Sequence, residues 1–278
     1  MEQTFSKYLI TDEISFKYAK GMRDIIGKEM HTYHEIFLFI DGDAEFISES
    51  GRIKIAPYTT VIIPKETFHQ FVVLGEEWKY CRCVFSFTYV TELDELIDTK
   101  MNQIYVLQDK KIAELILLVR DMMSTDITQT EKSIFAKAIL AQILVMIVRD
   151  STFNGDTYSH FHPTTKQIIS YINKNLPQQI TIDILAEYLS LSPSYISHLF
   201  KRDMHISIYK YILEKRLIMA NSKIKKSIPP IQAAEAVGFH DYSGFYRQYQ
   251  KMFGYPPSKT KQTAKSIPNL GTNLLTHD

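Results

Sequence analysis

Residues 237–257 read VGFHDYSGFYRQYQKMFGYPP, and this stretch decides the fold of the second half of the chain. Gly238 interrupts a helical pattern where the backbone must turn, and a glycine tolerates the positive φ that such a turn requires. Asp241 is then placed to cap the N-terminus of a following helix. On that helix Phe245 and Tyr249 are spaced i, i+4 and predict an apolar face that packs inward. The stretch therefore predicts a short helix, a tight turn and a second helix.

A segment of the same design lies upstream. Residues 185–202, LAEYLSLSPSYISHLFKR, align with residues 233–251, which carry one extra residue at the turn. Ser192 is placed as an N-cap, and Pro193 suits the first position of a helix. Ser190 stands where the downstream unit has its turn glycine. The repeat predicts two helix-turn-helix units.

The second helix of each unit has a polar side opposite its apolar face. That side carries Ser, His, Tyr, Arg and Gln, which can hydrogen-bond to base edges in the major groove. A solvated amphipathic helix is the alternative for one unit, but two units with the same turn chemistry favour DNA. The distribution of charge also favours DNA binding by the helical half. Residues 1–150 hold 17 Lys+Arg and 23 Asp+Glu, whereas residues 151–278 hold 15 Lys+Arg and 8 Asp+Glu. A basic half suits a polyanionic partner.

The composition is that of a soluble globular protein with two domains. The 278 residues are 45% hydrophobic and 23% charged, and no apolar run reaches the ~18 residues of a membrane span. The N-terminus lacks the basic and apolar regions of a signal peptide, so we expect a cytoplasmic protein that does not meet a membrane. The two cysteines, Cys81 and Cys83, share one strand face and are expected to be structural thiols in a reducing compartment.

The first half of the chain changes from a β pattern to a helical one. Short runs rich in branched and aromatic residues fill residues 30–90, are separated by turn residues, and predict a sandwich or barrel. Residues 110–123 and 131–150 are apolar at helical spacing. The second of these segments is apolar around most of its circumference, so it is either enclosed within its domain or half-covered by a partner chain.

Together these patterns predict an α+β protein of two domains. Polar residues with Gly and Pro separate the β-rich half from the helical half, and the C-terminal end has no periodicity. The predicted parts are a β-barrel domain with flanking helices at residues 1–150, a linker at 151–163, a helical domain at 164–262 and a loose tail at 263–278.

The helical domain resembles the DNA-binding region of the AraC/XylS transcription regulators over residues 180–261. The match in GFHDYSGFYRQYQKMFGYPPSKTK is carried by Gly238, Phe239, Phe245, Arg247, Tyr249, Lys251, Gly254 and Pro257. A connecting helix is matched at residues 214–224 by Arg216, Leu217 and Ala220. His205 stands where the family usually has a glycine. The resemblance implies an all-α domain of two helix-turn-helix units on a connecting helix, with double-stranded DNA as the partner.

The resemblance also implies roles for individual side chains. The base-reading positions are Ser194, Ser197 and His198 in the first unit, and Tyr242, Ser243, Tyr246 and Arg247 in the second. The phosphate contacts, which position a protein without reading sequence, are Lys201, Arg202, Lys225, Lys226 and Lys251. A scaffold without sequence preference is the alternative, but it predicts uniformly lysine-rich faces, which these helices lack.

The β-rich half resembles the cupin barrel, or jelly roll, that AraC-type regulators often carry. EMHTYHEIFLFIDGDAEFI at residues 29–47 and IIPKETFHQF at residues 62–71 resemble the two cupin motifs. In this register Glu29 takes the place of a metal-binding histidine, although a carboxylate can still bind a metal. We expect no metal and no cofactor, and instead an effector pocket formed by His31, Tyr33, Glu35, His69 and Trp78.

Rings and polar groups in one pocket suit a small polar effector such as a carbohydrate. A metal-dependent cupin enzyme with a basic appendage is one alternative, and a barrel that serves only for dimerisation is another. The helices at residues 110–123 and 131–150 offer apolar faces for a homodimer, which would present four DNA-reading helices. The prediction is a regulator of transcription, not an enzyme, that responds to an effector.

Overall fold

A computed structural model describes residues 5–11, 13–22, 28–74, 79–87, 104–149 and 161–260. Most of the predicted linker and all of the predicted tail lie outside the described residues, as does Trp78. The described parts comprise a β-rich N-terminal half and a helical C-terminal half. Phe161 is buried in the core of the helical half and a helix starts at Pro163, so the end of the predicted linker belongs to this half.

The N-terminal half contains two antiparallel sheets. The described strands are β1 Phe5–Ile10, β2 Ile14–Met22, β3 Lys28–Glu29, β4 His34–Gly42, β5 Ala44–Ser48, β6 Gly51–Ile55, β7 Thr59–Ile63, β8 His69–Val73, β9 Lys79–Phe87 and β10 Tyr105–Leu107. One sheet has the order β1-β2-β9-β4-β7-β10 and the other β3-β8-β5-β6. The two sheets meet through aromatic rings, since Phe37 of β4 stacks on Phe71 of β8 at a centroid distance of 3.5 Å. The predicted barrel or sandwich is therefore built as two layers.

Two helices cover the outer face of the six-stranded sheet. They are α1, Lys110–Met122, and α2, Gln129–Arg149, and their apolar side chains join one core with those of the sheet. Cys81 and Cys83 of β9 lie in the same core as free, buried thiols, as predicted. Among the described residues, no helix combines the length and the apolar character that a bilayer crossing requires.

Helix α2 keeps part of its apolar surface in solvent. Its inner side is buried in the core, but four residues at the spacing i, i+4, i+7, i+11 form an outer stripe, which we call the α2 stripe: Ile134, Ala138, Ala141 and Val145. Ile134 is 64% exposed and Val145 is 40% exposed. The described residues do not enclose this side of the helix, and its coverage by a partner chain stays a prediction.

The C-terminal half consists of helices joined by short turns. They are α3 Pro163–Asn175, α4 Ile182–Leu189, α5 Pro193–Met204, α6 Ile208–Lys225, α7 Pro230–Ala236 and α8 Tyr242–Phe253, followed by a 3-10 turn at Pro257–Lys259. Helices α3 to α5 pack against one side of α6 in a first core. Helices α7 and α8 pack against its other side in a second core. Helix α6 is thus the predicted connecting helix.

The turns have the chemistry that the sequence predicted. Asp241 caps α8 by accepting hydrogen bonds from the backbone N–H groups of Ser243 and Gly244, at 3.0 and 2.8 Å. Ser192 caps α5 in the same way. Gly238 has a φ of +93°, and Ser190 takes the equivalent left-handed conformation with a φ of 53°. Each short helix is therefore stopped by a left-handed residue and the following helix is started by a side-chain cap.

The two halves of the chain contact each other directly. Lys215 of α6 forms an ion pair with Glu49 at 2.7 Å, and the ring of Tyr211 packs edge-on against Phe68 at 5.9 Å. Burial and the nearby carboxylate of Glu49 raise the pKa of Tyr211 well above its usual value. Because α6 carries both helix pairs, this contact connects them to the N-terminal half.

Candidate nucleic-acid interface and buried barrel cluster

The predicted base-reading residues lie on the solvent side of α5 and α8. On α5 the apolar residues Ile196, Leu199 and Phe200 are buried, and Phe245 and Tyr249 are buried on α8. The opposite faces carry the predicted set, of which Ser197 is half-buried and the others are exposed: Ser194, Ser197, His198, Tyr242, Ser243, Tyr246 and Arg247. The side chains are accessible to a partner, and their role in reading bases stays a prediction.

Four of the five predicted phosphate contacts are also exposed, namely Lys201, Arg202, Lys226 and Lys251. Lys225 differs from them. Its ammonium donates to the Thr32 hydroxyl of the barrel at 2.7 Å, and burial lowers its pKa. A lysine held in this way is not presented to DNA, so we leave Lys225 out of the phosphate contacts. The sequence placed it among surface lysines because nothing local indicates a contact with the barrel.

Arg216 joins the second helix pair to the first. Its guanidinium donates to the carbonyl oxygens of Leu176, at 3.0 Å, and Gln178, at 2.5 Å, in the turn after α3. The same guanidinium lies against Gly238, where an added Cβ would come within 2.9 Å of Nη2. The arginine therefore bonds to the first helix pair and packs against the turn between α7 and α8, which gives a structural reason for the arginine of the connecting-helix motif.

Inside the barrel, four side chains converge from different parts of the chain. We call them the barrel cluster: Glu29, His31, Glu35 and His69. Their nearest ligand atoms all lie within 4.8 Å of one another. Oε2 of Glu35 is 3.1 Å from Nε2 of His31 and 3.3 Å from Nε2 of His69, and Oε2 of Glu29 is 3.6 Å from the latter. His31, Glu35 and His69 are each at least nine-tenths buried.

The backbone and one hydroxyl fix the orientation of these side chains. Nδ1 of His31 lies 2.8 Å from the carbonyl oxygen of Tyr33, and Nδ1 of His69 lies 3.1 Å from that of Thr67. The hydroxyl of Ser86 donates to Oε1 of Glu35 at 3.0 Å. As a result, both imidazoles turn Nε2, and Glu35 turns Oε2, towards the same point.

The charges of the cluster act strongly on one another. Burial alone would raise the pKa of Glu35, but the charges of His31 and His69 outweigh it and hold that pKa well below the usual range. Burial lowers the pKa of His69, whereas Glu29 and Glu35 outweigh this effect and raise it to about 10. The Glu35 carboxylate is therefore ionised, and its surroundings favour a positive charge.

The structure brings together four of the five residues of the predicted effector pocket. Tyr33 stacks on His31 with a centroid distance of 3.8 Å and an interplanar angle of 5°. Burial, followed by the charges of Glu35 and Glu29, raises the pKa of Tyr33 well above its usual value. The fifth residue, Trp78, lies outside the described residues. Both the pocket and its occupant stay predictions.

Two contacts of this region were missed from the sequence. Ser86 reaches Glu35 because β4 and β9 pair with these two residues in register. Thr32, which meets Lys225, lies between the two cluster neighbours His31 and Tyr33. The alternation along β9 places Ser86 on one face of the strand, but only the register between the strands shows which side chain it contacts.

The helical half of the chain is similar to a known family of protein domains. Residues 185–263 match a family profile described as "Helix-turn-helix domain". The HTH-type transcriptional regulator GbdR of Pseudomonas aeruginosa is 33% identical over 101 residues, which are 36% of this chain and 28% of GbdR. The chain thus spans little more than a quarter of this relative.

Other similarities extend over both halves. The probable transcriptional regulator LumQ of Photobacterium leiognathi is 22% identical over 230 residues, which cover 82% of this chain and 89% of LumQ. The solved structure of ToxT from Vibrio cholerae aligns with 95% of this chain and 99% of its own, at 12% identity and a TM-score of 0.41. GbdR and LumQ are both named as transcriptional regulators.

Proposed function

We propose, from the premise that residues 185–263 form an AraC-type helix-turn-helix domain, that the protein is a sequence-specific DNA-binding regulator of transcription. The observation that carries this function is the pair of exposed polar faces on α5 and α8 within a basic half of the chain. Both faces consist of side chains that hydrogen-bond to base edges, and each helix buries its apolar side in its own core. We assign the flanking phosphate contacts to four exposed residues, Lys201, Arg202, Lys226 and Lys251.

The connecting helix gives the two helix pairs a defined separation. Helix α6 has 18 residues, which correspond to about 27 Å at ~1.5 Å per residue. Two reading helices held at its opposite sides can enter successive major-groove segments, which repeat every ~34 Å along one face of a duplex. We therefore propose that both helix pairs are helix-turn-helix units that bind one duplex together.

The proposed function is tested by selecting genomic DNA fragments with the purified full chain. We expect a small set of fragments that share a short sequence and that are protected over two neighbouring major-groove segments. The binding constant should fall steeply with salt, since lysine and arginine release counterions from phosphates. Fragments without a shared sequence would instead support a scaffold that binds nucleic acid without preference.

We further propose that the N-terminal half is a cupin-like jelly roll that binds a small polar effector. Rings and polar groups lie together around Tyr33 and His69, and a carbohydrate suits such a lining. The alternative of a metal-dependent enzyme has no support in the relatives, which are named as regulators. A protein with this function acts where the DNA is, which in a bacterial cell is the cytoplasm. Repeating the fragment selection with candidate sugars tests the effector.

The hydrogen bond from Lys225 to Thr32 supports a coupling between effector binding in the N-terminal half and the position of the DNA-reading helices. Thr32 adjoins the pocket residues His31 and Tyr33, and Lys225 ends the connecting helix just before the second helix pair. An effector that favours one position of Thr32 would shift the equilibrium between arrangements of that pair. The effector thus biases how the DNA-reading helices are placed.

We propose that the α2 stripe forms a homodimer, and an Ile134→Lys variant tests it. Burial of an Ile side chain contributes about 1.5–3 kcal/mol, so we expect the dissociation constant of the dimer to rise roughly 10- to 100-fold. Sedimentation equilibrium measures it. Gln142→Lys is the matched control, because Gln142 is exposed on the same helix but off the stripe. A wild-type chain that stays monomeric at micromolar concentration, with and without DNA, contradicts the dimer.

A further inference from the structure

We propose that Arg52 of the N-terminal half contacts a DNA phosphate, so that both halves of the chain bind the same duplex. The inference rests on the proposed binding of DNA by α5 and α8. It adds a residue from outside residues 185–263, the range that matches the helix-turn-helix profile. The observation that carries it is a contact across the two halves, in which Nη2 of Arg52 lies 3.3 Å from Nε2 of His205.

His205 lies at the C-terminal end of the proposed reading face of α5. Residues three and four apart lie on the same side of a helix. Lys201 follows Ser197 and His198 at this spacing, and His205 follows Lys201 by four residues. His205 is exposed and ends the helix in the left-handed conformation. A guanidinium that contacts its imidazole is therefore close to the last turn of the reading face.

The dimensions of the helix and of the groove place phosphates near this end. Helix α5 has 12 residues, which correspond to about 18 Å at ~1.5 Å per residue, whereas the major groove is ~12 Å wide. A helix that crosses the groove and reads bases from Ser194, Ser197 and His198 therefore extends past the base edges with its last turn. The sugar-phosphate backbone borders the groove there, where Lys201 and Arg202 are the proposed phosphate contacts.

Strand pairing brings Arg52 to this end of α5. Arg52 of β6 pairs with Ile47 of β5, so both side chains point to the same face of the sheet. Ile47 is buried in one core with Ile196 and Phe200 of α5, which shows that this face meets the helical half. Because β6 is the edge strand of its sheet, Arg52 lies at the rim of that contact, and its side chain is 33% exposed.

The hairpin that carries Arg52 is held against the helical half. Glu49, at the turn between β5 and β6, pairs with Lys215 of α6 at 2.7 Å and accepts a hydrogen bond from Asn173 of α3 at 3.2 Å. The carboxylate thus joins the hairpin to two helices, one of which carries both helix pairs. Arg52 is three residues away, so its backbone is already positioned beside α5 before DNA binds, which reduces the entropy cost of a phosphate contact.

The ion pair of Arg52 within its own sheet does not prevent this contact. Nη1 of Arg52 lies 3.7 Å from Oε2 of Glu45, whose side chain is 25% exposed. A solvated pair at this separation contributes little, because water screens it. A guanidinium carries several donors in one plane, and a phosphate offers two oxygens that match this fork. Arg52 can therefore exchange Glu45 for a phosphate, or bind both at once.

The test measures DNA binding by the full chain over a range of KCl concentrations. The probes are a duplex with the selected site and an unrelated duplex of the same length. Each phosphate contact contributes about 0.9 to the slope of log K against log salt, so Arg52→Ala should reduce that slope by about this amount on both duplexes. The affinity at moderate salt should fall about 2- to 5-fold. Arg52→Lys keeps the charge and should keep the slope.

Lys54→Ala is the matched control. Lys54 lies two residues after Arg52 on the same face of β6. Its side chain is 68% exposed, and its ammonium pairs with Asp43 of the same half at 3.0 Å. The variant removes the same charge from the N-terminal half without changing the contact with His205, so the slope should stay at the wild-type value. Equal reductions by Lys54→Ala and Arg52→Ala would assign the effect to net charge and overturn the phosphate contact.

The remaining outcomes separate this inference from the proposed function. If the wild type binds its site with a steep salt dependence and Arg52→Ala keeps that slope, the phosphate contact is wrong and DNA binding by the helical half stands. A lower affinity at an unchanged slope, which Arg52→Lys does not restore, would make Arg52 a brace between the halves and also contradict the contact. A wild-type chain that binds neither duplex contradicts both proposals. Circular dichroism shows whether each variant is folded.

Discussion

A Gly238→Ala variant is expected to lose about 2–5 kcal/mol of unfolding free energy, the sum of two local penalties. A residue with a Cβ costs about 1–2 kcal/mol in the left-handed region, and Gly238 has a φ of +93°. The new Cβ would also lie 2.7 Å from the carbonyl oxygen of Pro177 and 2.9 Å from the guanidinium of Arg216. Overpacking of this kind costs about 1–3 kcal/mol. Urea unfolding followed by circular dichroism measures the change.

The chain contains its own control for the first of these penalties. Gly254 ends α8 with a φ of +77°, but nothing lies within 4 Å of the Cβ that an alanine would add there. Gly254→Ala is therefore expected to cost only the backbone penalty, about 1–2 kcal/mol. Equal losses in the two variants would mean that the turn after α7 does not press against Arg216, and that the two helix pairs are not fastened together as described.

This turn also shows why the helical half could be predicted from the sequence. Its determinants are local, because a left-handed stop such as Gly238 and an N-cap such as Asp241 act within a few residues. The apolar faces follow from the helical period alone. His205 likewise ends its helix in the left-handed region, with a φ of 54°. The contacts of α6 with the N-terminal half escaped prediction, since Lys215 and Lys225 look like surface lysines.

The sequence predicted the β structure of the N-terminal half but not which of its side chains contact one another. Strand runs and turn residues indicate a two-layer β structure, yet the partners of each side chain depend on register between distant strands. Glu35 and Ser86 meet because β4 pairs with β9, and the Glu29 and His69 positions meet because β3 pairs with β8. These pairings bring Glu29 together with three residues that the sequence assigned to the pocket, namely His31, Glu35 and His69.

Arg247→Ala is expected to weaken binding to the selected DNA site by about 1–3 kcal/mol, or roughly 5- to 150-fold. Arg247 is exposed on α8, on the face opposite the buried Phe245 and Tyr249. A guanidinium that contacts a guanine edge in two places is lost with the side chain, so one base position should also become permissive. Binding curves on the selected site and on variants at each position measure both effects.

Lys251→Ala provides the comparison, because Lys251 is exposed near the end of the same helix. As a phosphate contact it should weaken binding to all sequences alike and reduce the salt dependence by about one counterion. Every duplex carries the same phosphates, so a contact to them cannot distinguish one sequence from another. If Arg247→Ala behaved in this uniform way, Arg247 would be a phosphate contact, and sequence reading would have to be assigned to the other side chains of α5 and α8.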